Sequence, residues 1–227
     1  MGIAAEYAHT WTDLTSSGNI DVDSGRGGVY ASFYQDGFYL NGYAGGGYNS
    51  YSARRDALGG GASGSTNSGE FDGFASGGYN FHYHGLTFGP IASLQYTYLS
   101  LSGYTERGSL APLRIVSQSQ DSLRTNLGLS ASYTCKVGKV QLMPSLRASW
   151  QHEYFYSALP IAAQFASGAG SVFTVNGPTE GHDSALIDAG LNIQWTPTIG
   201  TYFGYNGQVG RSRYDSQGGV CSLHLSF

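Results

Sequence analysis

Apolar and polar positions alternate with a period of two along most of this chain, in blocks set apart by turn residues. In 86–98 one face carries Leu86, Phe88, Pro90, Ala92, Leu94, Tyr96 and Tyr98; the other carries Thr87, Gly89, Ile91, Ser93, Gln95 and Thr97. In 126–135, Leu127, Leu129, Ala131, Tyr133 and Cys135 oppose Asn126, Gly128, Ser130, Ser132 and Thr134. The same split divides 140–150 and 185–195, with Trp150 and Trp195 at the ends of the apolar faces. Successive side chains of a strand point to opposite sides, so this period predicts strands with two unlike neighbours. About ten are expected, near 2–13, 25–35, 38–53, 70–83, 86–102, 119–136, 139–154, 184–195, 199–212 and 218–227.

The connections between these segments alternate in length. Short turns are expected at Gln35-Asp36-Gly37, His84-Gly85, Val137-Gly138 and Thr196-Pro197-Thr198. Between them fall the longer stretches LTSSGNIDVDSG, RDALGGGASGSTNSG, TERGSLAPLRIVSQ and SALPIAAQFASGAGSVFTVNGPTEGH. Only the connection at Tyr214-Asp215-Ser216 breaks the long half of the pattern. Tight turns at one end and long loops at the other are the asymmetry of outer-membrane barrels. The Gly-Ser tract at 59–69 is read as a loop tip.

Composition sharpens this reading. Charged residues make up 11% of the 227 residues and aromatics 14%, with 18 Tyr and 35 Gly, against roughly 25% charged in ordinary soluble domains. No run approaches the roughly 18 apolar residues of a spanning helix. None of the four apolar faces carries a charge, whereas Asp72, Arg124, Arg147 and Asp188 share the polar parity, where they are candidates for a lumen-lining ion-pair network or for a contact surface to a chain inside the pore. Aromatics such as Phe71, Tyr83, Tyr96, Tyr98, Trp150 and Trp195 cluster near strand ends, as in interfacial girdles. A soluble sandwich or a ligand-binding soluble barrel would need the apolar faces turned inward. The net charge of −4 argues against nucleic acid as a partner.

Candidate chemistry is sparse. His182-Asp183-Ser184 has the composition of a catalytic triad, but triads are spatial and these residues are consecutive, so the tripeptide is read as a loop end. His82 and His84 lack a third ligand at metal spacing. No paired carboxylates suggest a rim protease. Cys135 and Cys221 are expected as free thiols on distant strands. No catalytic residue, metal or cofactor is expected.

The stretches SASYTCKVGKVQLMPSLRASWQHEY, ASGGYNFHYHGLTFGPIASLQYTYLSLSGYTERG, DSLRTNLGLS and IGTYFGYNGQVGRSRYDSQGGVCSLHLSF, with the run Trp150-Gln151-His152-Glu153 and the closing Phe227, resemble the translocator domain of monomeric autotransporters (type V secretion). The resemblance covers nearly all of 1–227, taken as one domain. It implies an all-β, antiparallel, up-and-down transmembrane barrel of the bacterial outer membrane, twelve-stranded in the family and about ten-stranded here. The first two strands and a pore helix are expected upstream of Met1, as is the export signal that MGIAAEYAHTW lacks. The implied function is to anchor and help export an upstream passenger, without catalysis. The implied partners are the outer-membrane bilayer, the passenger and the barrel assembly machinery, with the chain a monomer. Leu223, Leu225 and Phe227 on the last strand are the expected assembly signal. A stand-alone pore, or an adhesin with long loops, is the competing function.

Overall fold

A computed structural model of the chain describes residues 1–14, 18–155, 160–177, 181–212 and 214–226. Ten long strands dominate it: β1 (Gly2–Leu14), β2 (Gly18–Gln35), β3 (Phe38–Ala57), β4 (Gly60–Tyr79), β5 (Leu86–Leu101), β6 (Gln118–Tyr133), β7 (Val140–Glu153), β8 (Asp183–Gln194), β9 (Ile199–Arg211) and β10 (Tyr214–Leu225). Short pieces, Phe81–Tyr83 and Cys135–Val137, continue β4 and β6 beyond breaks at Asn80 and Thr134. Each strand pairs antiparallel with its neighbour in chain order. The sheet is a curled half-barrel in which, among the described residues, β1 and β10 do not pair with each other.

The four tight turns lie at one end, where the sequence predicts them. At the first, Asp36 and Gly37 both take positive φ, 51° and 87°, the geometry of a two-residue hairpin turn that Asp-Gly favours. The other end departs from expectation. The stretch RDALGGGASGSTNSG is not a loop: β3 and β4 run 20 residues each and turn only at Leu58-Gly59. Likewise β2 already starts at Gly18. Spanning a bilayer takes about 9–11 tilted residues, about half the length of β2, β3 and β4. Backbone pairing needs no apolar side chain, so a Gly-Ser tract can extend a ladder that hydropathy does not announce.

The two longest loops also contain strands. Tyr104–Thr105, Leu113–Ile115, Pro160–Phe165 and Phe173–Asn176 form a separate four-stranded antiparallel sheet. Its first loop is strapped along the upper part of β4. The Ser102 amide donates to the Asn67 carbonyl at 2.9 Å, and Ser63 and Arg107 exchange backbone bonds of 2.9 and 2.8 Å. Arg55 reaches from β3 to grip Glu106 with two bonds, 2.8 and 2.7 Å, and the Leu113 amide donates to the same carboxylate at 2.9 Å.

Burial is inverted relative to a soluble domain. Among the described residues the buried apolar side chains are Ala62 and Ala163, whereas Ser24, Asn49, Ser68, Glu106, Ser149, Gln151, Glu153 and Ser184 are buried. On the convex face Leu129 is 67%, Leu223 64% and Val29 58% exposed. A globular protein in water would place these groups the other way round.

Candidate conduit and its two faces

Register assigns each side chain to a face. Ser130, Arg147, Asp188 and Asn206 are successive partners across β6, β7, β8 and β9, and their parity is concave. The concave face encloses a cleft of about 660 Å³, whose lining includes Ser32, Tyr34, Asn41, Thr87, Ser132, Ser145, Arg147, Asp188 and Tyr202. A wall of hydroxyls, amides and a few charges leaves room for water.

Above this cleft the concave side chains bond to one another. Gln208 donates to Gln151 at 3.0 Å and to Ser184 at 2.9 Å. The Glu153 carboxylate accepts from the Ser122 hydroxyl at 2.8 Å, the Leu123 amide at 3.1 Å and the Arg124 guanidinium, and Arg211 lies 3.9 Å from it. Across the half-barrel, Arg26 pairs with Glu70 at 3.2 Å, and Asn49 donates to Ser68 at 3.0 Å and to Glu70 at 3.1 Å.

The four lumen candidates therefore separate. Arg147 and Asp188 are register partners in the cleft, Asp72 accepts from Thr97 at 2.8 Å on the β4–β5 wall, and Arg124 joins Glu153. Among the described residues, the four make no ion pair with one another; Glu70 and Glu153 are among the carboxylates that anchor the concave pairs. Parity could have found both, since Glu70 is two residues from Asp72 and Glu153 six from Arg147.

The convex face is apolar through the middle of each strand and ends in polar clusters at the long-loop end. Here the expectation that charges avoid this face needs correction at its rim. Tyr7 and His9 bond Asp23 at 2.7 and 2.9 Å, Trp150 and His152 bond Asp183 at 3.0 and 2.8 Å, and Tyr96 donates to Asp121. Each carboxylate has an aromatic donor on the neighbouring strand. An amphipathic Tyr or Trp at a membrane–water boundary places its ring in hydrocarbon and its polar tip toward water. Asp183 and Ser184 point to opposite sides of β8, with Ser184 held by Gln208 inside, which disperses the triad-like tripeptide.

On the last strand Leu223 and Leu225 face outward, paired in register with Thr201 and Ile199; Phe227 lies outside the described residues. Cys221 pairs with Phe203 and Cys135 with Leu142, so the two free thiols sit on separate strand pairs. His82 pairs with Thr87 at the short-turn end.

Comparison with known proteins agrees with this architecture. The family model described as autotransporter beta-domain matches residues 1–206. The beta domain of the Bordetella autotransporter BrkA superposes with a TM-score of 0.73 at 18% identity, covering 98% of this chain and 81% of that one. The translocator domain of the autotransporter NalP from Neisseria meningitidis gives 0.75 at 19% identity, covering 99% of this chain and 74% of that one. At such identities the likeness establishes the fold. Two proteins of Serratia marcescens, each named extracellular serine protease, are 28% identical over 144 residues and 27% over 143. Each alignment takes in 63% of this chain but 14% of the relative.

Proposed function

The chain belongs to the autotransporter beta-domain family, an outer-membrane barrel of type V secretion, and from that premise we propose that it anchors and helps export a passenger attached upstream. The observation that carries this reading is the inverted burial: apolar side chains line the convex face and hydrogen-bonded polar ones the concave face. The convex face fits a bilayer, and the concave face offers water or a passing polypeptide exchangeable hydrogen-bond partners. The domain's part is passive, to hold a polar path through an apolar medium.

The unpaired edges of β1 and β10 support a second element of the proposal. Two further strands upstream of residue 1 complete the barrel between these edges, since exposed ladders in hydrocarbon leave amides and carbonyls unsatisfied at several kcal/mol each. Residues 1–227 then form one domain of a monomeric barrel, inserted by the barrel assembly machinery, with Leu223 and Leu225 of the last strand and the closing Phe227 as its signal. The long-loop end, with its strapped sheet, faces outside the cell.

The test is surface display. An epitope placed upstream of the full-length barrel is stained on intact cells by an antibody. Staining that disappears when the barrel is deleted, while the epitope accumulates in the periplasm, is the expected outcome. A barrel that inserts normally and leaves the epitope inside the cell favours the stand-alone pore or adhesin.

A further inference from the structure

The outward side of β2, β3 and β4 changes character at one register. From Phe33 up to Gly25, Tyr48 and Gly69 it is apolar or glycine, with Val29, Phe33, Leu40 and Phe71 exposed; beyond, the partnered rows are Asp23–Ser50–Asn67, Asp21–Ser52–Ser65 and Asn19–Arg54–Ser63. The strap extends the last row by one place, because Arg107 is bridged to Ser63. Arg54 and Arg107 thus flank Ser63 on one outward row, their backbones about 10 Å apart at two strand spacings. Both side chains are exposed, and among the described residues neither has an ion-pair partner. They line a polar cleft of about 800 Å³ together with Ser52, Ser65, Tyr104 and Thr105. Asp21, the carboxylate in that lining, accepts from Asn19 at 3.1 Å and stands one row nearer the membrane.

Height narrows the ligand. Arg54 lies six residues beyond Tyr48 on β3, about 20 Å along the strand and about 15 Å in height at a tilt near 40°. A phospholipid headgroup layer reaches only about 5–8 Å beyond the acyl chains, too shallow for these guanidiniums. We propose that Arg54 and Arg107 bind phosphate or carboxylate groups carried on the saccharide head of a glycolipid in the outer leaflet, with Ser52, Ser63, Ser65 and Thr105 meeting its hydroxyls. Guanidinium forks match such anions in two-point geometry. This inference rests on the reading that the long-loop end faces outside the cell.

The full-length protein in phosphatidylcholine nanodiscs is titrated with purified lipopolysaccharide bearing a phosphorylated core. Arg54→Ser/Arg107→Ser weakens binding at least about tenfold, as expected for two charge-assisted contacts, while Arg54→Lys/Arg107→Lys binds more weakly than wild type but more tightly than the serine variant, because the charges remain and the two-point fork is lost. A gel shift on boiling, retained by both variants, excludes misfolding as the cause. Equal affinity for wild type and the serine variant overturns the proposal, as does equal binding of phosphatidylglycerol. Delipidated core oligosaccharide displaces the glycolipid; displacement by inorganic phosphate at the same concentration overturns the saccharide assignment. Labelling of Ser65→Cys on intact cells by a membrane-impermeant maleimide reads orientation separately. Labelling without arginine-dependent binding sinks only this inference, whereas an unlabelled cysteine in an inserted barrel sinks the orientation on which it rests.

Discussion

Glu153 is 4% exposed and accepts hydrogen bonds from Ser122, Leu123 and Arg124. Removing one member of a buried charge pair leaves the other unpaired, so Glu153→Ala should destabilise the domain by about 3 kcal/mol. The expected readout, taken on the full-length protein, is a lower temperature for losing the compact band on unboiled gels. Neighbouring positions on β6 probe the two faces. Leu129→Arg places a charge on the exposed apolar side and should cost about 2–4 kcal/mol of membrane stability. Ser130→Arg enters the concave side and should leave the urea unfolding midpoint in lipid nearly unchanged; equal losses for both would contradict the assignment of faces. Parity makes this scale legible from the chain alone, since one-residue steps switch faces. Which carboxylate meets which guanidinium was not legible, because the pairs Arg26–Glu70 and Arg124–Glu153 bridge different strands through register.

Among the elements, the strapped hairpin of β3 and β4 is the least expected from sequence. Its Gly-Ser composition hides a strand, and Gly64 shows one use of a missing side chain: a Cβ there would lie 2.5 Å from the Tyr104 ring. Gly64→Val should lift the strap and speed proteolysis of 102–117 without disturbing the barrel. The lock on that strap is the Arg55–Glu106 pair. Burial raises the Glu106 carboxyl, but hydrogen bonds from Arg55 and the Leu113 amide outweigh it and hold it below the usual glutamate range. A lowered folded-state pKa means the lock contributes fully above the unfolded value, about 4.3, and fades as pH falls through the folded value. Amide exchange in 102–117 should therefore be slow at pH 7 and lose protection below about pH 4; Glu106→Gln should show the weaker protection already at pH 7. Correcting exchange for its intrinsic pH dependence isolates the effect.

On the scale of the whole molecule, the half-barrel has, among the described residues, two unpaired edges, β1 and β10, in a medium that supplies no hydrogen bonds. Residues 1–227 refolded alone in detergent should give no compact band that shifts on boiling, whereas a longer chain with the two strands proposed above should give one. A shift from 1–227 alone would mean that β1 and β10 can meet. Alternation, low charge, terminal aromatics and unequal connections were enough to specify an antiparallel membrane sheet with its short-turn end, because a bilayer imposes face and length on every strand separately. They could not specify the strand hidden in 59–69, the four-stranded sheet of the long loops, the carboxylates at the outer rim or the row that joins Arg54 to Arg107. Those features arise from backbone pairing between segments far apart in the chain, and backbone pairing leaves no mark on side-chain hydropathy.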